Sequence, residues 1–271
     1  MARQRLGQHF LADPGWREEI ARAIRVSPNS TFFSAPESRD FCWIEIGAGH
    51  GEMTEHLAAS GTPVIAVELD PPLAKRLQQL TKRFPNLSIQ HADILKTDLS
   101  ALAAGRRIRI YGNLPYYITS PILRHFFEFA DRIDEIHIVI QLEVALRLGA
   151  QPGTRDYGYL SVLTQYFARP LVALKLPPGA FSPPPEVDSA LVSMRLPGQR
   201  AGLNIKEEEK FLDFVKHCFA QKRKTLVNNL RAISKPGIIR DALSELELVA
   251  SVRAEELSVA QLAILFQKLV G

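Results

Sequence analysis

Residues Gly112 to Tyr117 read "GNLPYY" and combine residue types that suggest chemistry. They follow "RRIRIY", an alternating run typical of a strand, and precede "ITSPILRHFFEF", which is typical of a helix. A strand-to-helix turn can be built from small polar residues alone, yet this one holds an amide, a proline and two aromatic rings. The composition of the turn therefore predicts a binding or reaction site.

The side chains of this turn suit a planar amine such as the N6 group of adenine. Because the lone pair of that nitrogen is delocalised, it is a poor nucleophile unless acceptors hold its N–H bonds in a pyramidal geometry. The side-chain oxygen of Asn113 and the backbone carbonyl of Leu114 can supply those acceptors. Pro115 stiffens the turn by fixing φ, and Tyr116 offers a face on which an extruded base can stack. The structural alternative is a proline turn with core aromatics.

Three successive predicted strand ends carry residues that suit an adenosine-containing cofactor. "WIEIGAGHGEMT" places Gly47, Gly49 and Gly51 after the first sheet strand, where ligands bind in open α/β sheets. Glu68 ends the second strand in "AVELD" and can accept hydrogen bonds from ribose hydroxyls. Asp93 follows the third strand in "HADIL" and can accept from an adenine amine. Each acid could instead be a helix cap or a surface charge.

A proline-rich segment, "GAFSPPPEVDSALV", leads into another predicted strand and provides a second candidate for base binding. Its three consecutive prolines favour a stiff, polyproline-like entry to the strand. Phe181, just before them, can cover the face of a base opposite Tyr116. As an alternative, Phe181 is a core residue that anchors a rigid loop.

The elements that position these residues alternate between strands and helices from about residue 41 to residue 195. This order predicts an α/β fold with a mainly parallel sheet and an antiparallel pair at one edge. After "LPGQRAGLN" the pattern is helical only, and "KEEEKFLDFVKHCFAQKRKTLVNNLRAI" is predicted to be helix. We therefore expect a catalytic domain over residues 1–200 and a small all-helical domain over residues 201–271.

Composition restricts the setting in which the chain works. The 271 residues contain two cysteines, Cys42 and Cys218, which form neither a disulfide framework nor a zinc motif, so no metal is expected. There is no apolar run of about 18 residues and no secretory signal, and we expect a cytoplasmic monomer without membrane contact. The net charge is +4, and residues 216–240 carry seven positive side chains and no acidic one. That run predicts a surface for a polyanion, with a solvated helix face as the alternative.

Together, these motifs resemble the ribosomal RNA adenine N6,N6-dimethyltransferases, most closely the small-subunit (KsgA) type. The resemblance rests on the following motifs in this order: "GQHFLAD", "EIGAGHGEMT", "VELD", "HADIL", "GNLPYY", "QLEVALRL", "AFSPPPEVDSA" and "FAQKRKTLVNNL". It implies a Rossmann-like domain with a seven-stranded sheet and S-adenosylmethionine as methyl donor. It also implies double methylation of two adjacent adenosines in a hairpin near the 3′ end of small-subunit RNA, within an assembling subunit.

The resemblance also implies roles for individual residues. The cofactor site would be formed by His9, Leu11, Gly47, Gly49, Gly51, Glu68, Asp93 and Asn113. Tyr116 and Phe181 would hold the base between them. RNA contacts would come from Lys222, Arg223 and Lys224, on a helix against phosphates, and from Arg147. Many family members have Asn where this chain has His9, and the segment from Ser27 to Asp40 is long and has no assigned role.

Three other functions share some of these motifs. Relatives that methylate large-subunit RNA share "NLPY" and the Phe-Pro loop, and "FAQKRKTLVNNL" favours the small-subunit enzymes. A non-catalytic assembly factor could use the same surface, although an intact "NLPY" favours catalysis. A nicotinamide oxidoreductase is disfavoured because Glu52 stands where the dinucleotide motif has its last glycine.

Overall fold

The computed structural model describes residues 9–25, 40–115 and 118–271. Within those ranges the strands are Phe10–Leu11 (β1), Phe41–Ile46 (β2), Val64–Glu68 (β3), Leu87–His91 (β4), Arg107–Asn113 (β5), Ile133–Gln141 (β6), Arg169–Leu176 (β7), Phe181–Ser182 (β8) and Ser189–Arg195 (β9). The helices are Pro14–Ala23 (α1), Glu52–Ala59 (α2), Pro71–Leu77 (α3), Leu99–Ala103 (α4), Thr119–Glu128 (α5), Leu142–Leu148 (α6), Tyr159–Phe167 (α7), Arg200–Leu203 (α8), Glu208–Cys218 (α9), Leu226–Asn229 (α10), Pro236–Glu245 (α11) and Val259–Leu269 (α12).

Seven strands form one sheet in the order β4-β3-β2-β5-β6-β9-β7. The pairs β4–β3, β3–β2, β2–β5 and β5–β6 are parallel, whereas β6–β9 is antiparallel. The predicted mainly parallel sheet is therefore confirmed. The chain runs outward from β2 through β3 to β4 and then returns to place β5 on the other side of β2. This reversal between β2 and β5 creates the crevice in which open α/β sheets bind ligands.

Burial of both sheet faces explains why the central strands are almost continuously apolar. Strand β2, "FCWIEI", is buried from its second residue to its last, and β6 is buried over most of its length. Parallel strands covered on both faces lack the alternation of apolar and polar residues that marks a half-exposed strand. The polar residues that remain in these strands, such as Glu45 in β2, therefore need specific partners.

Several helix ends follow the capping signals in the sequence. Asp13 accepts a hydrogen bond from the Trp16 N–H and begins α1 with Pro14, as predicted. Asp70 does the same for α3 through the Leu73 N–H. Gly61, at φ 79°, follows α2 in the left-handed conformation that glycine adopts readily. The Asp13 and Asp70 caps place the starts of α1 and α3 directly after β1 and β3.

A small two-stranded sheet, β1 with β8, was not predicted from the sequence. The antiparallel register pairs Phe10 with Ser182 and Leu11 with Phe181. The Ala12 and Asp13 N–H groups extend this attachment by donating to the Ala180 carbonyl. Two-residue strands have no hydrophobic period that a sequence pattern could detect. This pairing brings the amino-terminal segment to the proline-rich loop.

The chain groups into two compact units. The first comprises Met1–Ala145 and Pro170–Leu196, and the second comprises Leu146–Arg169 and Pro197–Gly271. The second unit is helical and includes α7, because Gly198 donates to the Phe167 carbonyl at the end of that helix. A division of function between residues 1–200 and 201–271 stays a prediction. No helix in the described part of the chain has the length and apolar character needed to cross a bilayer.

The single helix predicted from residue 206 to residue 233 is wrong. Helix α9 ends at Cys218, a turn follows, and α10 begins at Leu226 with Thr225 as its cap. The Asn229 side chain explains the break, because its Nδ2 donates to the carbonyls of Cys218 (2.7 Å) and Gln221 (3.2 Å). The Cys218 carbonyl belongs to the last turn of α9, where no intrahelical donor is available, and the Gln221 carbonyl lies in the turn that follows.

Candidate active site

The glycine turn after β2 opens onto the carboxyl edge of the sheet. Gly47, Gly49 and Gly51 all have positive φ, which residues with a Cβ rarely adopt. A Cβ added to Gly47 would meet nothing within 4 Å, whereas one on Gly49 would stand 3.0 Å from the Phe10 ring. The turn therefore leaves open space at the end of β2 and allows close approach of Phe10 beside it.

Glu68, the last residue of β3, is held at the same edge of the sheet. Its side chain is 2% exposed, and its two oxygens accept hydrogen bonds from the N–H groups of Gly49 (2.8 Å) and Asp70 (2.9 Å). A carboxylate offers about four lone-pair positions, so these two bonds leave acceptor capacity for a ligand. The structure thus places the predicted ribose acceptor in direct contact with the glycine turn.

Asp93 has a structural role at the end of β4. Its Oδ1 accepts from the Leu95 N–H (3.1 Å) and caps a single 3-10 turn over residues 94–96, while Lys96 Nζ lies 3.8 Å from Oδ2. The cap that the sequence left open as an alternative is present, and adenine recognition by Asp93 stays a prediction.

Leu69 is an additional residue at this edge that sequence reasoning missed. It lies between Glu68 and Asp70, and 54% of it is exposed. A large apolar side chain this exposed beside a buried carboxylate can cover the face of a flat ring. Its position directly after the strand-end acid is the signal that could have identified it.

Asn113 ends β5, next to the end of β2, and its amide has a defined orientation. Its Nδ2 donates a 2.8 Å hydrogen bond to the backbone oxygen of His9. A carbonyl oxygen only accepts, so the amide must present nitrogen to His9, and Oδ1 remains an acceptor for another group. Leu114 is buried and donates its N–H to the Val139 carbonyl (3.0 Å). Tyr116 lies outside the residues that the structure describes.

His9 brings three of the sequence motifs together. Its backbone oxygen accepts from Asn113, and its imidazole Nδ1 lies 2.8 Å from the carbonyl oxygen of Pro183. His9 therefore connects the described residues of the "QHFL", "NLPY" and "FSPPP" motifs. Phe181 and Leu11, opposite each other in β8 and β1, are each 4% exposed and belong to the apolar core. Stacking of Phe181 on a base thus stays a prediction, and it requires the ring to become more exposed.

Phe10 is a second residue at this site that was missed from the sequence. Its ring lies against Gly49 and packs on the His50 ring at a centroid distance of 4.4 Å. A lone Phe in a short basic segment gave no reason to expect this contact. The contact depends on β1, which places the amino-terminal segment over the glycine turn.

Glu45 lies beneath the glycine turn and is an unusual buried acid. Burial raises the pKa of Glu45 to about 8, and the hydrogen bond from Thr54 Oγ1 (2.5 Å) only partly opposes this shift. Glu45 is therefore mostly protonated at pH 7, which avoids an uncompensated charge in the core. It packs beneath the cofactor edge as a neutral group.

A different buried cluster lies near the starts of the strands, away from this edge. The Arg109 guanidinium stacks 3.9 Å from the Phe41 ring centroid and lies 3.7 Å from Glu135 Oε2. Burial alone would raise the pKa of Glu135, but its hydrogen bond with His137 and the charges of Arg109 and Arg25 lower it to about 2. Because ligands bind at the carboxyl ends of parallel strands, we interpret this cluster as structural.

The basic residues predicted to contact RNA are exposed, but three of them do not lie on a helix. Lys222, Arg223 and Lys224 occupy the turn between α9 and α10, where Lys222 Nζ donates to the Arg155 carbonyl (2.9 Å). The expected helical placement is therefore wrong. Arg147 lies in the last turn of α6 and is exposed. RNA binding by these four residues stays a prediction.

The glycine turn, the buried Glu68 and the crevice between β2 and β5 form a cofactor-binding edge of the kind that Rossmann-like methyltransferases have. The model of the family described as "Ribosomal RNA adenine dimethylase" matches residues 1–270, and the chain belongs to that family. The chain is 42% identical over 267 residues to Ribosomal RNA small subunit methyltransferase A of Acidobacterium capsulatum, covering 98% of this chain and 90% of that protein.

Two solved structures share this fold over nearly the whole chain. A dimethyladenosine transferase from Plasmodium falciparum matches with a TM-score of 0.77 at 22% identity, and 96% of each chain is covered. The 23S rRNA methyltransferase ErmE matches with a TM-score of 0.68 at 26% identity, covering 97% of this chain and all of that one.

The protein is thus a ribosomal RNA adenine dimethyltransferase, and its methyl donor is S-adenosylmethionine. The described residues fit this cofactor. The open space at Gly47 admits a ligand close to the backbone, and Glu68 keeps lone pairs for ribose hydroxyls. Gly47 follows β2, the direct neighbour of the strand that Asn113 ends, and Glu68 ends β3, one strand further along the same edge.

Proposed function

We propose that this enzyme methylates N6 of two adjacent adenosines, twice each, in a hairpin near the 3′ end of small-subunit ribosomal RNA. The substrate would be an assembling small subunit in the cytoplasm, and the enzyme would act as a monomer. The observation that carries the proposal is the hydrogen bond from Asn113 Nδ2 to the His9 oxygen. It leaves Oδ1 of the amide as the acceptor for a substrate at the end of β5.

In this proposal the chain positions an amine rather than activating it with a base. S-Adenosylmethionine supplies a methyl group bonded to a positively charged sulfur. Asn113 Oδ1 and the Leu114 carbonyl accept the N–H bonds of adenine N6 and aim its lone pair at the methyl carbon. The N–C bond forms as the methyl–sulfur bond breaks, and the N6 proton is then lost to water. Positioning and a preorganised polar site provide most of the rate gain in such a reaction.

The small subunit is favoured over the large subunit by the similarity to other sequences. The relatives at 38–42% identity over almost the whole chain carry the name small subunit methyltransferase A. The large-subunit enzyme ErmE shares the fold at 26% identity. Small-subunit and large-subunit RNA are therefore compared as substrates in the same assay.

Transfer of labelled methyl from S-adenosylmethionine to small subunits that lack the modification tests this proposal. We expect dimethyladenosine at two adjacent positions after the RNA is digested and its nucleosides are separated. Large subunits and protein-free small-subunit RNA serve as parallel substrates. Label confined to large-subunit RNA would assign the enzyme to the other branch, and label in neither RNA would indicate an assembly factor without turnover.

Reversing the charges of Lys222, Arg223 and Lys224 is expected to weaken RNA binding. Each phosphate contact contributes to the salt dependence of binding, so the slope of log K against log salt should become shallower by about 2–3. A filter-binding titration at several salt concentrations measures this. A control variant that reverses Lys75, Lys82 and Lys206, all exposed, undergoes the same change in net charge. An equal loss of RNA affinity in both variants would show a general effect of net charge rather than a contact at the turn between α9 and α10.

A further inference from the structure

We infer that His9 is a positioning residue for methyl transfer. Its imidazole attaches the proline loop (residues 181–185) to the amino-terminal segment, and its backbone oxygen in turn fixes the direction of the Asn113 amide. The inference rests on the acceptor role proposed for Asn113. It assigns to His9 an effect on the reacting nitrogen that is separate from the cofactor contact expected from its motif.

The imidazole bond has a defined direction. Nδ1 of His9 lies 2.8 Å from the Pro183 oxygen, and because a carbonyl can only accept, Nδ1 must carry the proton. In the β1–β8 register, Phe10 pairs with Ser182, so the next residues outward are His9 and Pro183. Proline has no N–H, so the carbonyl is the backbone hydrogen-bonding group by which Pro183 can hold this segment. The His9 side chain uses that carbonyl.

The backbone oxygen of His9 then orients Asn113. Rotating the Asn113 amide by half a turn would place Oδ1, instead of Nδ2, against the His9 oxygen. Two acceptors without a proton between them repel, so the observed orientation is favoured as long as the His9 oxygen keeps its position. The imidazole bond to Pro183 anchors the residue that carries this oxygen. Loss of that bond lets the amide acceptor turn or shift away from the substrate nitrogen.

Two substitutions of similar shape separate the contribution of the His9 hydrogen bond from that of side-chain size. Asn places its Nδ2 as many bonds from the backbone as the imidazole Nδ1, so His9→Asn keeps a donor for Pro183. Leu has the same branching as Asn and no donor. We expect His9→Leu to lower kcat at saturating S-adenosylmethionine by about 10–100-fold, because small displacements of a reacting group are costly. We expect His9→Asn to restore most of kcat, and because kcat is measured at saturating S-adenosylmethionine, a change in cofactor affinity does not enter the comparison.

His125→Leu is the matched control. His125 also bonds a backbone carbonyl, that of Thr97 at 2.9 Å, but it has no contact with the three motifs at the site among the described residues. We expect His125→Leu to leave kcat unchanged. Thermal unfolding of all variants reports whether each one folds.

The possible results test the role of His9 separately from the acceptor role of Asn113 and from the proposed function. A normal kcat in His9→Leu, or a weaker cofactor affinity with normal kcat at saturation, overturns the positioning role. Normal turnover in Asn113→Ala, measured in parallel, overturns the inference together with the acceptor role of Asn113. Failure of the parent enzyme to label either RNA removes the proposed function itself. A low kcat in His9→Leu, restored in His9→Asn, supports the inference.

Discussion

Asn113→Ala is expected to lower kcat for methyl transfer by about 10²–10³-fold while the protein stays folded. The substitution removes the acceptor proposed to hold the adenine N–H bond, and losing one such preorganised group commonly costs this much. It also removes the 2.8 Å hydrogen bond to the His9 oxygen, so the amino-terminal segment loses one of its contacts with the site. Single-turnover transfer of labelled methyl to small subunits, with cofactor affinity measured separately, gives the size of the effect.

Asn86→Ala is a matched control for the structural part of this effect. The Asn86 amide donates to the carbonyls of Ala58 (2.8 Å) and Thr62 (2.7 Å), so it also links separate segments through its nitrogen. We expect Asn86→Ala to lower thermal stability and to leave kcat near the parent value. If Asn113→Ala behaves like Asn86→Ala, the amide of Asn113 is structural and the proposed chemistry is wrong.

The strong hydrophobic and capping signals explain why the sheet could be predicted from the sequence. Runs such as "FCWIEI" are buried on both faces and have no other stable placement, and Asp13 and Asp70 define helix starts by local hydrogen bonds. Because parallel strands end at one edge, the order of strands was enough to place Gly47, Glu68 and Asn113 near each other.

The features that were missed depend on long-range contacts between short segments. Strand β1 has two residues, and its partner lies about 170 residues later, so no local pattern reveals the pairing of Phe10 with Ser182. The role of Phe10 at Gly49 and the meeting of His9 with Asn113 follow from that pairing. The break after α9 was missed for a related reason, because a helical period continues through residues whose carbonyls are instead capped by Asn229.

The largest effect on cofactor binding is expected from Glu68→Gln. The carboxylate accepts from the Gly49 and Asp70 N–H groups through different oxygens, so in glutamine the amide NH2 group must face one of these two donors. The change also removes the charge that strengthens hydrogen bonds from ribose hydroxyls. A bond to a charged acceptor is worth about 1.5–3 kcal/mol, and each 1.4 kcal/mol is about tenfold in affinity. We therefore expect S-adenosylmethionine affinity, measured by calorimetry, to fall by about 100-fold.

Asp70→Asn separates the contact made by Glu68 from the general loss of a negative charge near the cofactor. Asp70 lies two residues away and caps α3 through the Leu73 N–H, and asparagine caps helices about as well as aspartate. This variant should bind S-adenosylmethionine like the parent enzyme. Equal losses in the two variants would mean that long-range charge, rather than hydrogen bonding by Glu68, attracts the cofactor. Unchanged affinity in Glu68→Gln would mean that the acid serves only to hold the glycine turn, and the cofactor would then need another ribose acceptor at this edge of the sheet.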